Sequence, residues 1–361
     1  MVARFKGDRV EGRPWEEPSS HPVVVAKHVA ELSFWEGMEG LTDDERNAAI
    51  PIAQGTATPL LTYVDRWVGE GGTKGPLRPR TVQQYRSDLE GFATWLATER
   101  LPVTLEAVTK SVAGRYASWF LEHGADRKTA NRKMSALSAY WRWLVRRTDR
   151  ESNPWVGQSL SKARQPGDER SKRPMTDDEL LLLLRGPAVG EMADVIRLAS
   201  LSGLRLEEVY RLRVADCRGG WFTVRIGKSN AAVRRVPTHA DLQAIVARRV
   251  SGKPPAAYLI DEAGGDPKPG RERSMPASKR FGTYRRSLGV DEVRAGGRSS
   301  RVDFHSLRRW FVTTARNSGI DLATVQAVVG HEAGNITDDV YSGGPSEALL
   351  RACVEAVRLP E

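Results

Sequence analysis

The chain has 361 residues, with 55 Lys and Arg against 45 Asp and Glu, a net charge of +10 and a pI near 9.7. That length exceeds one ordinary core, and 40% hydrophobic residues suffice to fill two. No apolar run approaches the ~20 residues that cross a bilayer, the N-terminus lacks the apolar stretch of a secretory signal, and Cys217 and Cys353 make neither a metal-ligand spacing nor a disulfide framework. A cytoplasmic protein without membrane contact is predicted, and the basic excess points to a polyanionic partner, nucleic acid first.

Residues 1–56 read as an N-terminal accessory segment. Gly, Pro and charge dominate to Pro22. Val24, Val25, Val29, Leu32 and Trp35 then predict a short amphipathic helix, and Thr42-Asp-Asp-Glu45 a capping box for another that Pro51 stops. The segment shows no chemistry and is either a small accessory domain or a docking arm.

Residues 57–153 read as a helical domain. Four stripes have core-facing spacing: Leu60, Val64, Trp67 and Val68; Val82, Tyr85, Leu89, Phe92 and Leu96; Leu105, Val108, Val112, Tyr116 and Trp119; and Ala130, Met134, Leu137, Trp141 and Leu144 after a possible N-cap, Asp126. The periodicity assigns the aromatics to the core. Arg78, Arg80, Arg86, Arg127, Lys128, Arg132 and Lys133 gather near helix starts, where the helix dipole disfavours cations. They are candidate phosphate contacts, with a solvated face as the alternative. Residues 154–174 read as a basic linker, in which Lys162, Arg164, Arg170, Lys172 and Arg173 either track a polyanion or are simply solvated.

From Met175 the pattern tightens. Thr176-Asp-Asp-Glu179 is a capping box with Met175 and Leu180 as its staple. Helices follow to Arg185, from Glu191 to Ser202 with a stop at Gly203, and from Arg205 through Leu212. Phe222, Val224 and Ile226 alternate as a strand, and Arg234 to Val236 return as its partner, leaving Lys228 in the turn. Residues 263–276 read as a loop between helices at about 240–250 and 277–287. His305 to Asn317 is a helix, Asp321 caps another that Gly330 ends, and Glu347 to Val357 is the last.

The chemistry-bearing residues come in order: Gly203-Leu-Arg205-Leu-Glu-Glu208, Lys228, His305-Ser-Leu-Arg308, Gly330-His331 and Tyr341. His305 and Arg308 share a helix face. Singly, each has an ordinary reading. Arg205 could pair with Glu207 or Glu208, His305 could bond a helix end, His331 could sit satisfied in a core, and Tyr341 could be one more core aromatic. As an ordered set on a basic chain they indicate a site.

This set resembles the tyrosine recombinase family, the phage-type integrases, over residues 57 to about 345. The resemblance implies a mainly α fold: a helical core-DNA-binding bundle (57–153) and a mixed, mostly helical catalytic domain (175–361) with a small antiparallel sheet and a tail helix. Together they would clamp duplex DNA. It implies Tyr341 as nucleophile, Arg205, Lys228, His305, Arg308 and His331 as the catalytic set, and Glu208 as structural support. It also implies strand exchange by four protomers at specific sites through a Holliday junction, with directionality or host architectural factors as possible partners. Neither ATP, metal nor any other cofactor is expected. Resolution of chromosome or plasmid dimers, topoisomerase activity and DNA-binding regulation from an inactive site are the alternatives. The tail helix could dock on a neighbouring protomer or on its own domain.

Overall fold

Pro79, at the first turn of the second helix, shows how this chain starts its elements: its fixed φ suits a helix opening and its missing N–H is not needed there. The computed structural model describes residues 50–52, 54–71, 75–161, 172–225, 233–268, 271–293, 299–331 and 344–361. The chain divides between Ala163 and Arg164 into two units. The helix and capping box expected before Pro51 lie outside the described residues.

The first unit contains α1 (Val64–Glu70), α2 (Pro79–Thr98), α3 (Lys110–Glu122) and α4 (Arg127–Arg147). Its core is aromatic, as the periodicity predicts. Phe92 lies 4.8 Å from Tyr116 and 5.0 Å from Trp155 between ring centroids, in tilted or edge-on geometry. Thr109 caps α3 by accepting from Val112 N at 3.2 Å. Asp126 does stand at the N-cap of α4, but its side chain makes no capping bond. Buried Asp88 on α2 is held by the Arg132 fork from α4 at 2.7 and 3.2 Å.

The bundle extends past its last helix. Trp155 is buried against Phe92 and Trp141, and Leu160 exchanges two hydrogen bonds with the Asn131 side chain, at 2.8 and 2.9 Å. Residues 154–161, which the sequence assigns to the linker, therefore pack on the first unit. A single anchoring tryptophan leaves no periodic signal.

In the second unit, α5 (Asp177–Arg185) has the full capping box: Thr176 Oγ1 accepts from Glu179 N at 3.1 Å, and Glu179 accepts from Thr176 N at 2.9 Å. Met175 and Leu180 are both buried, as a staple requires. The buried α6 (Met192–Ser202) ends at Gly203 with φ 63°, and the short α7 (Leu206–Arg211) follows. The sheet has three antiparallel strands, β1 (Cys217–Arg218), β2 (Trp221–Val224) and β3 (Arg234–Pro237), in that order. Two residues long, β1 is too short to alternate and is not legible in the sequence. Phe222 pairs with Val236 and Val224 with Arg234, which places Arg234 on the core-facing side.

The unit continues through α8 (Gln243–Val250), α9 (Met275–Ser287), α10 (His305–Asn317), α11 (Leu322–Val329) and α12 (Glu347–Glu355). Helix α9 starts two residues earlier than expected because Pro276 serves its first turn. Asp321 caps α11, accepting from Thr324 N at 2.8 Å. The tail helix α12 packs on α11 and β3 of its own unit, with Cys353, Val354 and Val357 fully buried and Leu349 exposed. Burial pushes the free thiols of Cys217 and Cys353 up to about 12, so neither is a thiolate at neutral pH.

Candidate active site

Two helix ends and one helix face build the site. Gly203 ends α6 and Gly330 ends α11, both in the left-handed region at φ 63°. Close approach also requires glycine at both positions. A Cβ on Gly203 would lie 2.7 Å from Phe311, and one on Gly330 would lie 2.7 Å from the Arg234 guanidinium.

Helix α10 threads Arg308 between these ends. Its side chain is 2% exposed, and Nη1 donates to Gly203 O at 2.6 Å while Nη2 donates to Val329 O. Arg308 Nε is buried and has no hydrogen-bond partner among the described residues. Burial, then the cation of Arg205, lowers its pKa to about 9, which leaves it charged at neutral pH.

Arg205 opens α7. Its N–H donates to Glu208 at 2.8 Å, Nη1 donates to the same carboxylate at 2.7 Å, and Nη2 reaches Gly330 O at 3.5 Å. The Arg205–Glu208 pair foreseen as an ordinary ion pair does form. It also holds Arg205 beside the Gly330 turn. Glu208 is 5% exposed and lies 3.9 Å from Arg308. Burial alone would raise its pKa, but the Arg234 fork and Arg205 outweigh that and hold it below the usual carboxylate range.

His305 is exposed at the start of α10, one turn from Arg308. Partial desolvation, then the cations of Arg309 and Arg308, lower its pKa to about 4. Water at the open edge screens part of both effects, but the direction is common to them. His331 is exposed just after Gly330, with its N–H donating to Gln326 O at 3.0 Å. Partial burial and then Arg308, Arg205 and Arg234 lower its pKa too. Both imidazoles are thus neutral at pH 7, beside a cluster of cations.

Arg205, Glu208, Arg308 and His331 are thereby brought together, with His305 beside them. Lys228 and Tyr341 lie outside the described residues, as do Lys162, Arg164 and Arg170. The other two linker cations have partners within the second unit. Arg173 is clasped by Glu179 at 2.7 Å and Glu292 at 2.6 Å, and Lys172 donates to Ser300 O at 2.5 Å. Among the bundle cations, Arg132 is committed to Asp88, Arg86 pairs with Asp65 at 2.5 Å, Arg127 donates to Ser161 O at 3.0 Å, and Lys133 lies over the Phe120 ring. Lys128 is exposed on the first turn of α4, near Arg127, and exposed Arg78 and Arg80 flank Pro79 at the start of α2. Arg234 is the site residue that the sequence reading leaves out. The available signal is its place two residues before Val236, on the inward phase of the strand.

The phage integrase family model matches residues 177–343, and the model of the SAM-like N-terminal domain of phage integrases matches residues 73–148. The chain belongs to the tyrosine recombinase family. It is accordingly a DNA strand-transferring enzyme of the kind that uses a tyrosine nucleophile. Similar curated proteins include tyrosine recombinase XerC of Oceanobacillus iheyensis, 26% identical over 82% of this chain and 96% of the relative. Tyrosine recombinase XerD of Yersinia pestis is 27% identical over 76% of this chain and 89% of the relative. Among solved structures, a lambda integrase dimer bound to a COC′ core site shares the fold, with a TM-score of 0.56 at 17% identity over 89% of this chain and 86% of the other. A lambda integrase tetramer on a Holliday junction gives a TM-score of 0.56 at 16% identity, covering 91% and 89%. The mainly α architecture with a small antiparallel sheet is that of this tyrosine recombinase fold. Among the described residues, no helix is long and apolar enough to cross a membrane.

Proposed function

We propose that this recombinase is an integrase-type enzyme that cleaves and rejoins duplex DNA at specific sites through a 3′-phosphotyrosine and a Holliday junction. The observation that carries the reading is the convergence of Arg205 and Arg308 on the carbonyls of Gly330, Gly203 and Val329, with a neutral imidazole on either side. A phosphodiester repels nucleophiles; the partly exposed Arg205 guanidinium can meet its non-bridging oxygens, and the enclosed Arg308, held by main-chain carbonyls, adds fixed positive charge beside them. Tyr341 Oη attacks phosphorus and the P–O5′ bond breaks. The phenol proton passes to His305, and Lys228 gives a proton to the leaving 5′ oxygen. His331 donates to a non-bridging oxygen. The phosphotyrosine ester conserves the energy of the broken bond, so another 5′ hydroxyl reseals the strand without ATP. The phosphate would raise the pKa of His305 from about 4, because an anion among the cations favours the imidazolium.

In this reading the first unit binds core DNA, four protomers assemble on paired sites in the cytoplasm, and residues 1–56 are accessory. Tyr341→Phe tests the nucleophile. Unmutated protein should be trapped covalently on nicked suicide duplexes drawn from a random-sequence pool. Tyr341→Phe should bind the selected duplexes and trap none, and undiminished trapping would sink the assignment. The likeness to XerC and XerD proteins favours a second reading, resolution of chromosome or plasmid dimers. The selected site separates the two when placed in plasmids. Integration predicts joining of two unlike sites, and dimer resolution predicts excision between two identical ones.

A further inference from the structure

Arg234 lies on β3 with a side chain only 7% exposed. Its fork meets Glu208 with Nη1 at 3.2 Å and Nη2 at 3.1 Å, and its Nε donates to Val328 O at 2.6 Å. It therefore touches both the carboxylate that binds Arg205 and the last turn of the helix that presents His331. Glu208 is a buried anion beside three guanidiniums, and the four groups together carry a net charge of +2. Without Arg234 that net charge would be +1. Glu208 would then draw its counter-charge from Arg205, 2.7 Å away, and Arg308, 3.9 Å away.

We propose that Arg234 is a positioning residue for strand cleavage: it neutralises Glu208, so that Arg205 and Arg308 keep their positive field for the scissile phosphate. This rests on the positive charge of Arg205 and Arg308 acting on that phosphate. Arg234 acts through Glu208, to which Nη1 and Nη2 donate while Nε donates to Val328 O. By the same contacts it ties β3, the strand that follows Lys228 in the chain, to the turn that carries His331.

The test uses the full chain and a suicide duplex selected by covalent trapping, with either the natural scissile phosphate or a neutral methylphosphonate in its place. Arg234→Met should bind the duplex normally and cleave the phosphodiester ~10²-fold more slowly. The loss should be smaller on the methylphosphonate, whose transition state carries one negative charge fewer. Adding Glu208→Gln to Arg234→Met should restore at least about tenfold, because no carboxylate is left to compete. Should Arg234→Met not fold, the double variant is compared with Glu208→Gln alone, and the two should cleave at similar rates. Equal slowing on both substrates, no gain from Glu208→Gln, or a double variant tenfold slower than Glu208→Gln alone would each make Arg234 purely structural and overturn the proposal. Arg308→Ala separates this from failure of the underlying reading. If Arg308→Ala cleaves the phosphodiester at the unmutated rate, the phosphate clamp itself is wrong.

Discussion

Arg308 is a cation enclosed by protein, held by two carbonyls that lie 105 and 21 residues away along the chain. A lysine at this position keeps the charge but cannot span both acceptors, because an ammonium is a point donor on a flexible stem. Arg308→Lys should therefore cut single-turnover cleavage by ~10²–10³-fold while leaving duplex affinity within about twofold. A parallel fall of affinity and cleavage would make Arg308 a general DNA contact. His305 offers a pH test. Its folded pKa of about 4 is below the free value of 6.5, so the unfolded chain takes up the proton more readily. The stability contributed by neutral His305 is present above about 6.5 and is lost as pH falls through the window down to about 4. An NMR titration of the free protein should find the His305 midpoint well below 6.5, and a midpoint at or above that value contradicts the cation cluster.

At the level of elements, two cations of the basic stretch already have partners. Arg173 and Lys172 are bound into the second unit by Glu179, Glu292, Ser300 and Asp303. Arg173→Met should lower stability by about 1–2 kcal/mol, between the worth of an exposed pair and the loss of a buried one. It should leave the salt dependence of DNA binding unchanged. Neutralising Lys162, Arg164 and Arg170 should instead weaken binding to all sequences and flatten the slope of log affinity against log salt by ~0.9 per lost phosphate contact. If that triple variant keeps the full slope, those residues do not face phosphate. The capping box on α5 gives a second check at this scale. Thr176→Ala removes the acceptor for Glu179 N and should cost ~1 kcal/mol in chemical denaturation.

For the molecule as a whole, the tail is part of the second unit's core. Cys353, Val354 and Val357 are fully buried, Arg235 pairs with Glu347 at 3.0 Å, and Trp221 lies between the guanidiniums of Arg235 and Arg351 at 4.4 and 4.5 Å. Removing residues 347–361 should therefore destabilise the free monomer by several kcal/mol, at ~1.5–3 kcal/mol for each buried aliphatic side chain. A truncated chain with an unchanged melting temperature would show that the tail contributes nothing to its own unit.

The sequence alone determined the punctuation and the order of chemistry. Thr176 and Asp321 mark helix starts, Gly203 and Gly330 mark left-handed ends, and the apolar stripes mark buried faces, because each signal acts within a few residues. Arg205, Glu208, His305, Arg308 and His331 were singled out by an order that resembles the tyrosine recombinases, and the fold brings them close to one another. Only the tertiary structure decided which charges serve which partner. Arg234 meets Val328 across 94 residues, Arg132 meets Asp88 across 44, and Arg173 meets Glu292 across 119. Such pairings leave no period in the chain. A guanidinium on a strand or in a basic run reads the same whether it faces solvent, DNA or a buried carboxylate, and the topology that brings two distant segments together makes the difference.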